Sequence, residues 1–365
     1  MNTQRITPFQ LTCLCFAFLS GFSTQYLLEA KVIMQDVWMA NELAVCWVLV
    51  ILKINTYVQN QYPHRNMTEI IEVLYGKWVG KLVLGYYTIT MVGLATLSLR
   101  SISLFYTTAI LPNTSPKLIM LLVLIVTTYA ASLGLNAIAR SVLVILPFFA
   151  VAILVICVSI YRNVDMNPFM PQFRHGFPIM VFGTMMSYGF PFGKSVVMSY
   201  LFSEVTEQKK LFKACSIAVV MSCVYLLLAT YLSLGSLGEH LFKAATFPFF
   251  SAIQLVKFGE YIERIEITII AIWTILTLYE VITVQYVFVK ISGRIFGLKT
   301  LKPLYIPAGA FIFGVTVNSL PIPAALVAYD TRMLPVVSLG SACLLPLCNL
   351  GMTLIRKRKA PVPQT

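Results

Sequence analysis

The sequence predicts an all-α polytopic membrane protein with ten transmembrane helices, arranged as two five-helix halves of inverted topology. Of its 365 residues, 58% are hydrophobic and only 11% are charged, whereas a soluble domain carries about 25% charged residues. Ten apolar runs are each about 20 residues long, which is the length that crosses a bilayer. Helix-breaking residues interrupt the first run and the sixth, so each half contains one interruption at the same place.

The ten apolar runs define the predicted helices in chain order. They cover roughly residues 9–28, 38–58, 82–107, 117–136, 141–161, 179–202, 214–236, 264–290, 303–320 and 334–355. Four polar residues dilute the second run, so we expect it to hide a polar face in the bundle or to lie partly at the interface. These residues are Asn41, Glu42, Lys53 and Asn55. The eighth run is long enough to tilt or to extend beyond the lipid.

The connections between the runs contain no second, soluble domain. The chain is therefore expected to form a single integral membrane domain over residues 1–365. Residues 242–253 are apolar enough for a short re-entrant or surface helix. No cleavable signal peptide is predicted, because no Ala-x-Ala type site follows the first run.

The distribution of basic residues predicts the orientation of the bundle. With the N-terminus inside, the cytoplasmic segments hold sixteen Lys and Arg residues and the outer segments hold eight. Cytoplasmic loops carry the excess of basic residues in membrane proteins, so both termini are expected in the cytoplasm. The net charge of +13 then reflects topology and contact with anionic membrane lipid, and no nucleic-acid partner is expected.

Enzymatic and metal-binding patterns are missing from the sequence. There is no GxSxG, HExxH or P-loop motif, so no enzymatic activity is expected. The eight cysteines form no CxxC pair and lie in apolar runs, and the three histidines are scattered in loops. We therefore expect no metal site, no disulfide framework and no cofactor.

The sixth run is interrupted over residues 187–195. Pro191 lacks a backbone donor, and Gly189 and Gly193 weaken what remains of the helix. An interrupted spanning helix is tolerated only where its freed backbone groups face protein, water or a ligand. This segment is the best sequence indication of a binding site for a small polar solute.

The first run contains a weaker interruption at residues 20–24. Gly21 alone is also compatible with close packing between helices. Its pairing with the interruption in the sixth run is typical of transporter folds with inverted repeats, whose site lies at the membrane midplane between broken helices.

Such breaks suit a ligand that carries both charges. The free N–H groups of a half-helix attract a carboxylate and the free C=O groups attract an ammonium, and an amino-acid zwitterion offers both. The hydroxyls of Ser23, Thr24 and Ser195 add short-range donors and acceptors. Phenylalanines at the breaks are candidates for the wall of a side-chain pocket, with core or lipid packing as the alternative. They are Phe22, Phe190 and Phe192.

Two basic residues lie inside predicted spans and belong to the candidate ligand site. Lys194 stands in the second break, where it could replace a coupling cation, bind a carboxylate or snorkel to an interface. Replacing it with alanine is expected to change ligand response more than protein level. Arg100 lies within the third span and must pair or reach water, with either a ligand or a structural role. Its candidate carboxylate partners are Glu42, Glu263, Glu266 and Glu280.

A cluster of charges marks the start of the eighth span. Glu263 and Glu266 are three residues apart and share a helical face, with Arg264 between them. Acids in a first turn also complement the helix dipole. The cluster is expected to cap the helix and form ion pairs, with a gate or a partner contact as the alternative.

Several motifs together resemble those of one family. They are Tyr75-Gly76-Lys77-Trp78-Val79-Gly80, Arg100, Phe247-Pro248, Ile262-Glu263-Arg264-Ile265-Glu266 and Trp273. With these motifs, nearly the whole chain resembles the spore germination permeases, the B subunits of nutrient germinant receptors, in the amino acid–polyamine–organocation superfamily. Family members often show Gly-x-Gly in the first break and an acidic residue after the second, whereas this chain has Gly21-Phe22-Ser23 and Lys194-Ser195.

The resemblance implies a role in sensing a small-molecule germinant. It also implies an A subunit and a lipoprotein C subunit as partners, and a location in the spore inner membrane. Two alternatives stay open on the sequence. The same breaks would serve an amino acid transporter, and the chain could be an assembly scaffold whose pocket no longer binds.

Overall fold

Helices account for nearly all the regular structure in the described part of the chain. The computed structural model of the protein describes residues 5–21, 27–63, 65–161, 163–172, 174, 176–255, 266–319 and 323–359. Within these ranges the only extended pairing is an isolated parallel bridge between Ile6 and Val205. The Ile6 amide donates to the Glu204 carbonyl, and the Thr206 amide donates to the Ile6 carbonyl, both at 2.9 Å. This bridge joins the start of the chain to the segment that follows the second break.

The first half of the described chain contains six α-helices. They are α1 (Pro8–Leu19), α2 (Leu28–Ile33), α3 (Val37–Gln61), α4 (Met67–Phe105), α5 (Pro116–Ser132) and α6 (Leu135–Tyr161). Helix α1 starts at a capping box, in which Thr7 and Gln10 satisfy each other's backbone amides. Helix α4 bends sharply at Gly76, whose φ of +79° lies in the left-handed region that glycine tolerates.

The second half continues the helical pattern with more irregular turns. Its α-helices are α7 (Phe177–Ser187), α8 (Leu211–Ala244), α9 (Pro248–Gln254), α10 (Glu266–Phe296), α11 (Tyr305–Asn318), α12 (Pro323–Ala328), α13 (Leu334–Ser338) and α14 (Leu345–Lys359). A π-type turn over Tyr188–Phe192 and a 3-10 helix over Gly193–Glu204 follow α7. The sequence predicts a short helix within residues 242–253, and helix α9 covers the second half of this range and ends one residue after it.

Six helical stretches of the described residues are long and apolar enough to cross a membrane. They are Leu28–Gln61, Met67–Ile110, Leu135–Tyr161, Gln208–Ala244, Ile270–Phe296 and Ala325–Arg356. Two shorter apolar helices, α1 and α5, accompany them. The chain is therefore an integral, multi-pass, all-helical membrane protein. Helix length alone does not give the predicted count of ten.

The first broken helix, α1, lies in the centre of the bundle. Eight of the twelve residues of α1 are buried, and α1 packs against α6, α8 and α10. Helix α6 instead exposes an apolar stripe at helical spacing, as expected of a helix that faces lipid. The stripe consists of Val144, Phe148, Val151, Leu154 and Val158. The central position of α1 brings its break close to other core helices.

The polar residues of α3 divide between the bundle and its surface. Asn41 and Asn55 are buried, and the Asn41 side-chain oxygen accepts a hydrogen bond from Ser187 at 2.7 Å. Glu42 and Lys53 are exposed, and the Lys53 ammonium lies 4.7 Å from the centre of the Phe212 ring. Of the four residues that predicted a polar face for this helix, the two amides are buried in the bundle and the two charged residues are exposed.

Candidate functional site

Both predicted interruptions are present in the structure. Helix α1 ends at Leu19, and the next helix of the described residues begins at Leu28. Helix α7 ends at Ser187, and Phe190 adopts extended backbone angles of −158° and 128°. The Phe190–Pro191 peptide bond is cis. Each break frees backbone groups that a continuous helix would satisfy itself.

The two breaks meet at a buried ion pair. The Lys194 ammonium lies 2.8 Å from Glu280 Oε1, and both side chains are completely inaccessible to solvent. Lys194 follows the second break, whereas Glu280 lies in the middle of α10. Gly21, at the first break, faces the same carboxylate, since a Cβ on Gly21 would lie 2.3 Å from Glu280 Oε2. The pair therefore joins three elements: both breaks and α10.

Two aromatic rings complete the surroundings of the Lys194 ammonium. Its nitrogen lies 4.5 Å from the centre of the Phe190 ring and 5.2 Å from that of Phe18. Phe18 belongs to the last turn of α1, so one ring comes from each broken helix. A cation within about 6 Å of a ring face is attracted by the ring quadrupole, more strongly where water is excluded. One carboxylate and two rings are thus among the groups that hold the ammonium.

The buried pair is costly to separate. Removing one partner of a buried ion pair leaves an uncompensated charge and costs about 3–5 kcal/mol. Full burial of the Lys194 side chain also excludes the snorkelling alternative. A ligand that enters this region must therefore either leave the pair intact or replace it with equivalent charges.

The glycines of the second break allow close packing. A Cβ on Gly189 would lie 2.7 Å from Pro335 Cα, and one on Gly193 would lie 2.3 Å from the Tyr188 carbonyl oxygen. The Gly189 carbonyl accepts a hydrogen bond from Ser338 at 2.9 Å. The space lined by Gly193 and Ser195 measures about 10 Å³, which is room for about one water molecule. A larger solute fits this space only if the surrounding helices move apart.

A second ion pair fastens the other end of the post-break segment to α10. The Lys290 ammonium contacts Glu204 and donates to the Tyr200 carbonyl at 3.0 Å. The Tyr286 hydroxyl donates to Glu204 Oε2 at 2.9 Å. Glu204 lies ten residues after Lys194, and Lys290 lies ten residues after Glu280. The acidic residue of this second pair is therefore on the post-break segment and the basic residue is on α10, the reverse of the first pair. Two oppositely oriented pairs thus hold residues 193–204 against α10.

Arg100 lies at a different contact and binds no carboxylate of the described residues. Its guanidinium donates to the carbonyls of Thr316 at 3.0 and 2.6 Å, of Val317 at 2.9 Å and of Ser319 at 2.5 Å. These carbonyls end α11, where a helix leaves acceptors unsatisfied and favours positive charge. Among the described residues, the partner of Arg100 is therefore a helix C-terminus, and the candidates Glu263 and Glu266 have side chains outside the described part of the chain. This geometry favours the structural alternative for Arg100, and Glu280, one of the candidate partners, pairs with Lys194 instead.

Several predicted site residues belong to the part of the chain that the structure does not describe. Phe22, Ser23 and Thr24 lie outside the described residues, as do Glu263 and Arg264, and the side chain of Glu266 is likewise outside them. Trp273 is fully buried. Its indole N–H donates to the Tyr225 hydroxyl at 2.8 Å, and its ring packs against Phe249 with 5.6 Å between centroids. Trp273 is part of the core packing of α8, α9 and α10.

Glu280 is the site residue that the sequence identified only as a partner for Arg100. The available signal was simple, because Glu280 and Lys194 are opposite charges, each in an apolar span. Intramembrane charges are expected to pair with one another. Their 86-residue separation in sequence meant that only the fold could identify them as partners.

Comparison with known proteins gives a consistent picture. The model of a family described as Spore germination protein matches residues 5–320. Spore germination protein KB of Bacillus subtilis (strain 168) is 22% identical over 325 residues, covering 88% of this chain and 86% of that protein. Spore germination protein A2 of the same organism is 23% identical over 274 residues, covering 72% and 71%.

Solved structures with a similar fold include a symporter and a transporter. A Na⁺-coupled sialic acid symporter matches with a TM-score of 0.69 and 11% identity, over 93% of this chain and 80% of that one. Mhp1, a nucleobase-cation-symport-1 family transporter, matches with a TM-score of 0.68 and 14% identity, over 98% and 80%. MhsT in complex with L-phenylalanine matches with a TM-score of 0.64 and 12% identity, over 96% and 99%. The chain therefore has a transporter-like fold.

Proposed function

Because the chain belongs to the Spore germination protein family, we propose that it is the membrane subunit of a spore germinant receptor. In this proposal a nutrient such as an amino acid binds between the two broken helices and triggers germination. The observation that carries the proposal is the meeting of both breaks at the buried Lys194–Glu280 pair. A transporter-like fold that places opposite charges at its breaks is suited to a small zwitterionic or polar solute.

We further propose ten membrane crossings in two inverted five-helix halves, with both termini in the cytoplasm of a spore inner membrane. In this arrangement α1 belongs to the first crossing, and α7 with residues 188–204 forms the sixth. Helices α13 and α14 together form the tenth. The sixteen-to-eight distribution of basic residues supports the orientation.

Ligand binding would use the charges and the freed backbone of the breaks together. The carboxylate of the ligand would pair with the Lys194 ammonium, and the ammonium of the ligand would take the place of Lys194 beside Glu280. Both charges would then stay paired while the direct ion pair is broken, which avoids the cost of an unmatched buried charge. Since residues 193–204 are also held by Glu204 and Lys290, the resulting movement would be transmitted along this segment.

Assembly with partners belongs to the same proposal. The curated relatives are named as germination proteins, and the resemblance implies an A subunit and a lipoprotein C subunit. The charge cluster at residues 263–266 is a candidate contact for such a partner. Co-purification of a soluble-domain-bearing protein and a lipoprotein with tagged receptor from spores would support assembly, and isolation of the chain alone would oppose it.

The function is tested on spores that lack this chain and on complemented spores. A panel of standard L-amino acids and simple sugars is added, and germination is followed by the release of dipicolinic acid. We expect at least one nutrient to act only on complemented spores. An unchanged response to the whole panel would contradict the proposed function.

Amino acid transport is the second candidate function, and the transporter-like fold favours it. Uptake of labelled amino acids by proteoliposomes that contain the purified chain separates the two. Binding without accumulation supports a receptor, whereas concentrative uptake supports a transporter. A chain that neither binds nor transports, but is needed to recover the partners, would be an assembly scaffold.

A further inference from the structure

A basic cleft lies at the end of the bundle that we assign to the cytoplasm. It has a volume of about 910 Å³ and lies between the start of α4 and the end of α10. Six basic side chains line it: Arg65, Lys77, Lys81, Lys290, Arg294 and Lys299. We call this space the basic cleft.

The positive charge of the basic cleft is only partly compensated. Its two acidic residues, Glu69 and Glu72, both pair with Arg294, and Lys290 pairs with Glu204. The other four cations have no carboxylate of a described residue within 4.0 Å. They are Arg65, Lys77, Lys81 and Lys299. The cleft therefore attracts an anionic group.

The Tyr75–Gly80 motif builds one wall of this cleft. At Gly76 the left-handed φ of +79° turns the chain sharply. Gly80 then lets the first part of α4 fold back, because a Cβ at Gly80 would lie 3.1 Å from Glu72 Cα. The Tyr75 hydroxyl donates to the Asn349 side chain at 2.9 Å and anchors the folded-back part to α14. Lys77, one turn before Lys81, stands directly after the bend.

The mouth of the cleft lies at the level of the lipid headgroups. Helix α4 has 39 residues and would measure about 58 Å if straight, against a hydrocarbon core of about 30 Å. The part before Gly76 must therefore lie outside the hydrocarbon. Immediately after the bend, Trp78 and Leu82 are 82% and 75% exposed, and across the cleft Phe296 is 72% exposed. Exposed aromatic residues beside lysines are typical of a membrane interface.

We propose that the basic cleft binds the phosphate headgroup of an anionic phospholipid. The four uncompensated cations contact the phosphate, and the acyl chains lie against the exposed apolar side chains of both rims. An acidic protein segment would match the cations but would leave Trp78 and Phe296 without a partner. A phospholipid satisfies both features at once. The Tyr75–Gly80 motif, which the proposed ligand site does not use, thus builds a lipid site.

The test measures lipid binding to the purified full-length chain in detergent by native mass spectrometry. The probes are phosphatidylglycerol, phosphatidylcholine, inorganic phosphate and a poly-glutamate peptide. The variant Lys77→Gln/Lys81→Gln removes two cleft cations. Lys209→Gln/Lys213→Gln is the matched control, because it removes two exposed lysines at the same i, i+4 spacing outside the cleft.

We expect saturable binding of phosphatidylglycerol in preference to phosphatidylcholine. Affinity should fall roughly tenfold in the Lys77→Gln/Lys81→Gln variant and stay within about twofold in the control. A Trp78→Ala variant should also weaken phosphatidylglycerol binding, because the acyl chains lose a contact. Thermal unfolding in detergent serves as the folding check, and both lysine variants should unfold at the wild-type temperature.

Three results would overturn the proposal. Equal losses in the two lysine variants would indicate general surface attraction. Displacement of phosphatidylglycerol by inorganic phosphate at similar concentration would indicate an anion site without a lipid. Tighter binding of the poly-glutamate peptide, with displacement of the lipid, would assign the cleft to an acidic protein partner.

Discussion

Neutralising the buried Lys194–Glu280 pair separates a structural role from a ligand-binding role. We consider Lys194→Met, Glu280→Gln and the double variant. Both side chains are fully buried and 2.8 Å apart. Either single change therefore removes the opposite charge that lies 2.8 Å from the remaining one, at a place where both side chains are fully buried.

The expected cost of each single change is large. An uncompensated buried charge costs about 3–5 kcal/mol, whereas replacing a whole buried pair by neutral residues of similar volume is often neutral or stabilising. The double variant should therefore be much more stable than the sum of the single effects predicts. The sequence alone predicted that Lys194→Ala would change the ligand response far more than the protein level. Because the buried Glu280 carboxylate would lose the Lys194 ammonium that lies 2.8 Å from it, we now expect that change to lower abundance as well.

The assay combines two measurements on the same spores. Immunoblots of spore membranes report receptor abundance, and the half-maximal germinant concentration reports ligand response. Each single variant should lower abundance strongly. The double variant should recover abundance and still raise the half-maximal concentration by at least about tenfold, which corresponds to about 1.4 kcal/mol of lost binding.

Two outcomes would refute this reasoning. If the loss of receptor abundance in the double variant equals the sum of the losses in the two single variants, the two charges do not stabilise each other in the folded protein. If it recovers both abundance and a wild-type half-maximal concentration, the pair is purely structural and the ligand binds elsewhere.

Three further changes test other contacts. Gly21→Ala should disrupt the Lys194–Glu280 pair and lower receptor abundance, because its Cβ would lie 2.3 Å from the Glu280 carboxylate. The control Gly85→Ala should be tolerated, because its Cβ would meet nothing within 4 Å. Equal immunoblot signals for the two variants would contradict the placement of the first break. Arg100→Gln should lower the unfolding temperature, with a loss of about 2–4 kcal/mol as charged hydrogen bonds to the α11 carbonyls disappear. Its half-maximal germinant concentration should not change, and a large shift there would return Arg100 to the ligand site. Gly76→Ala places a side chain on a residue with φ of +79° and ψ of 176°, a combination that essentially only glycine adopts, so it should cost about 1–3 kcal/mol in thermal unfolding. Unaltered stability would show that a Cβ does not strain the bend.

The helix breaks could be predicted from the sequence because their causes are local. Pro191 with its flanking glycines cannot continue an α-helix wherever it stands in a fold. The same holds for the apolar runs, whose length indicates a membrane protein before any packing is known. The family could also be identified from short motifs, and the family comparison confirms it.

The partners of the buried charges could not be predicted in the same way. Lys194 meets Glu280 because the fold brings the second break against the middle of α10, and no local pattern encodes that contact. Arg100 illustrates a different difficulty. Its partners are backbone carbonyls, which every residue possesses, so the sequence does not indicate which helix end would present them.

The basic cleft depends on one backbone angle. Lys77 and Lys81 look like ordinary interface lysines in the sequence. They face Arg294 and Lys299 across a cleft only because Gly76 adopts a positive φ and turns the first part of α4 back. A glycine permits such a turn but does not require it, so the cleft became visible only in the structure.

The central claim, that a nutrient binds where the two helix breaks meet, is tested most directly by equilibrium binding. A panel of labelled L-amino acids is measured on the full-length chain in nanodiscs. The variants are the Lys194→Met/Glu280→Gln double and, as a matched control, Glu204→Gln/Lys290→Met, which removes the other ion pair between the same two elements. We expect saturable binding of at least one amino acid, abolished in the first variant and kept within about threefold in the second. Wild-type affinity in the first variant, or equal loss in both, would contradict a ligand site at the Lys194–Glu280 pair.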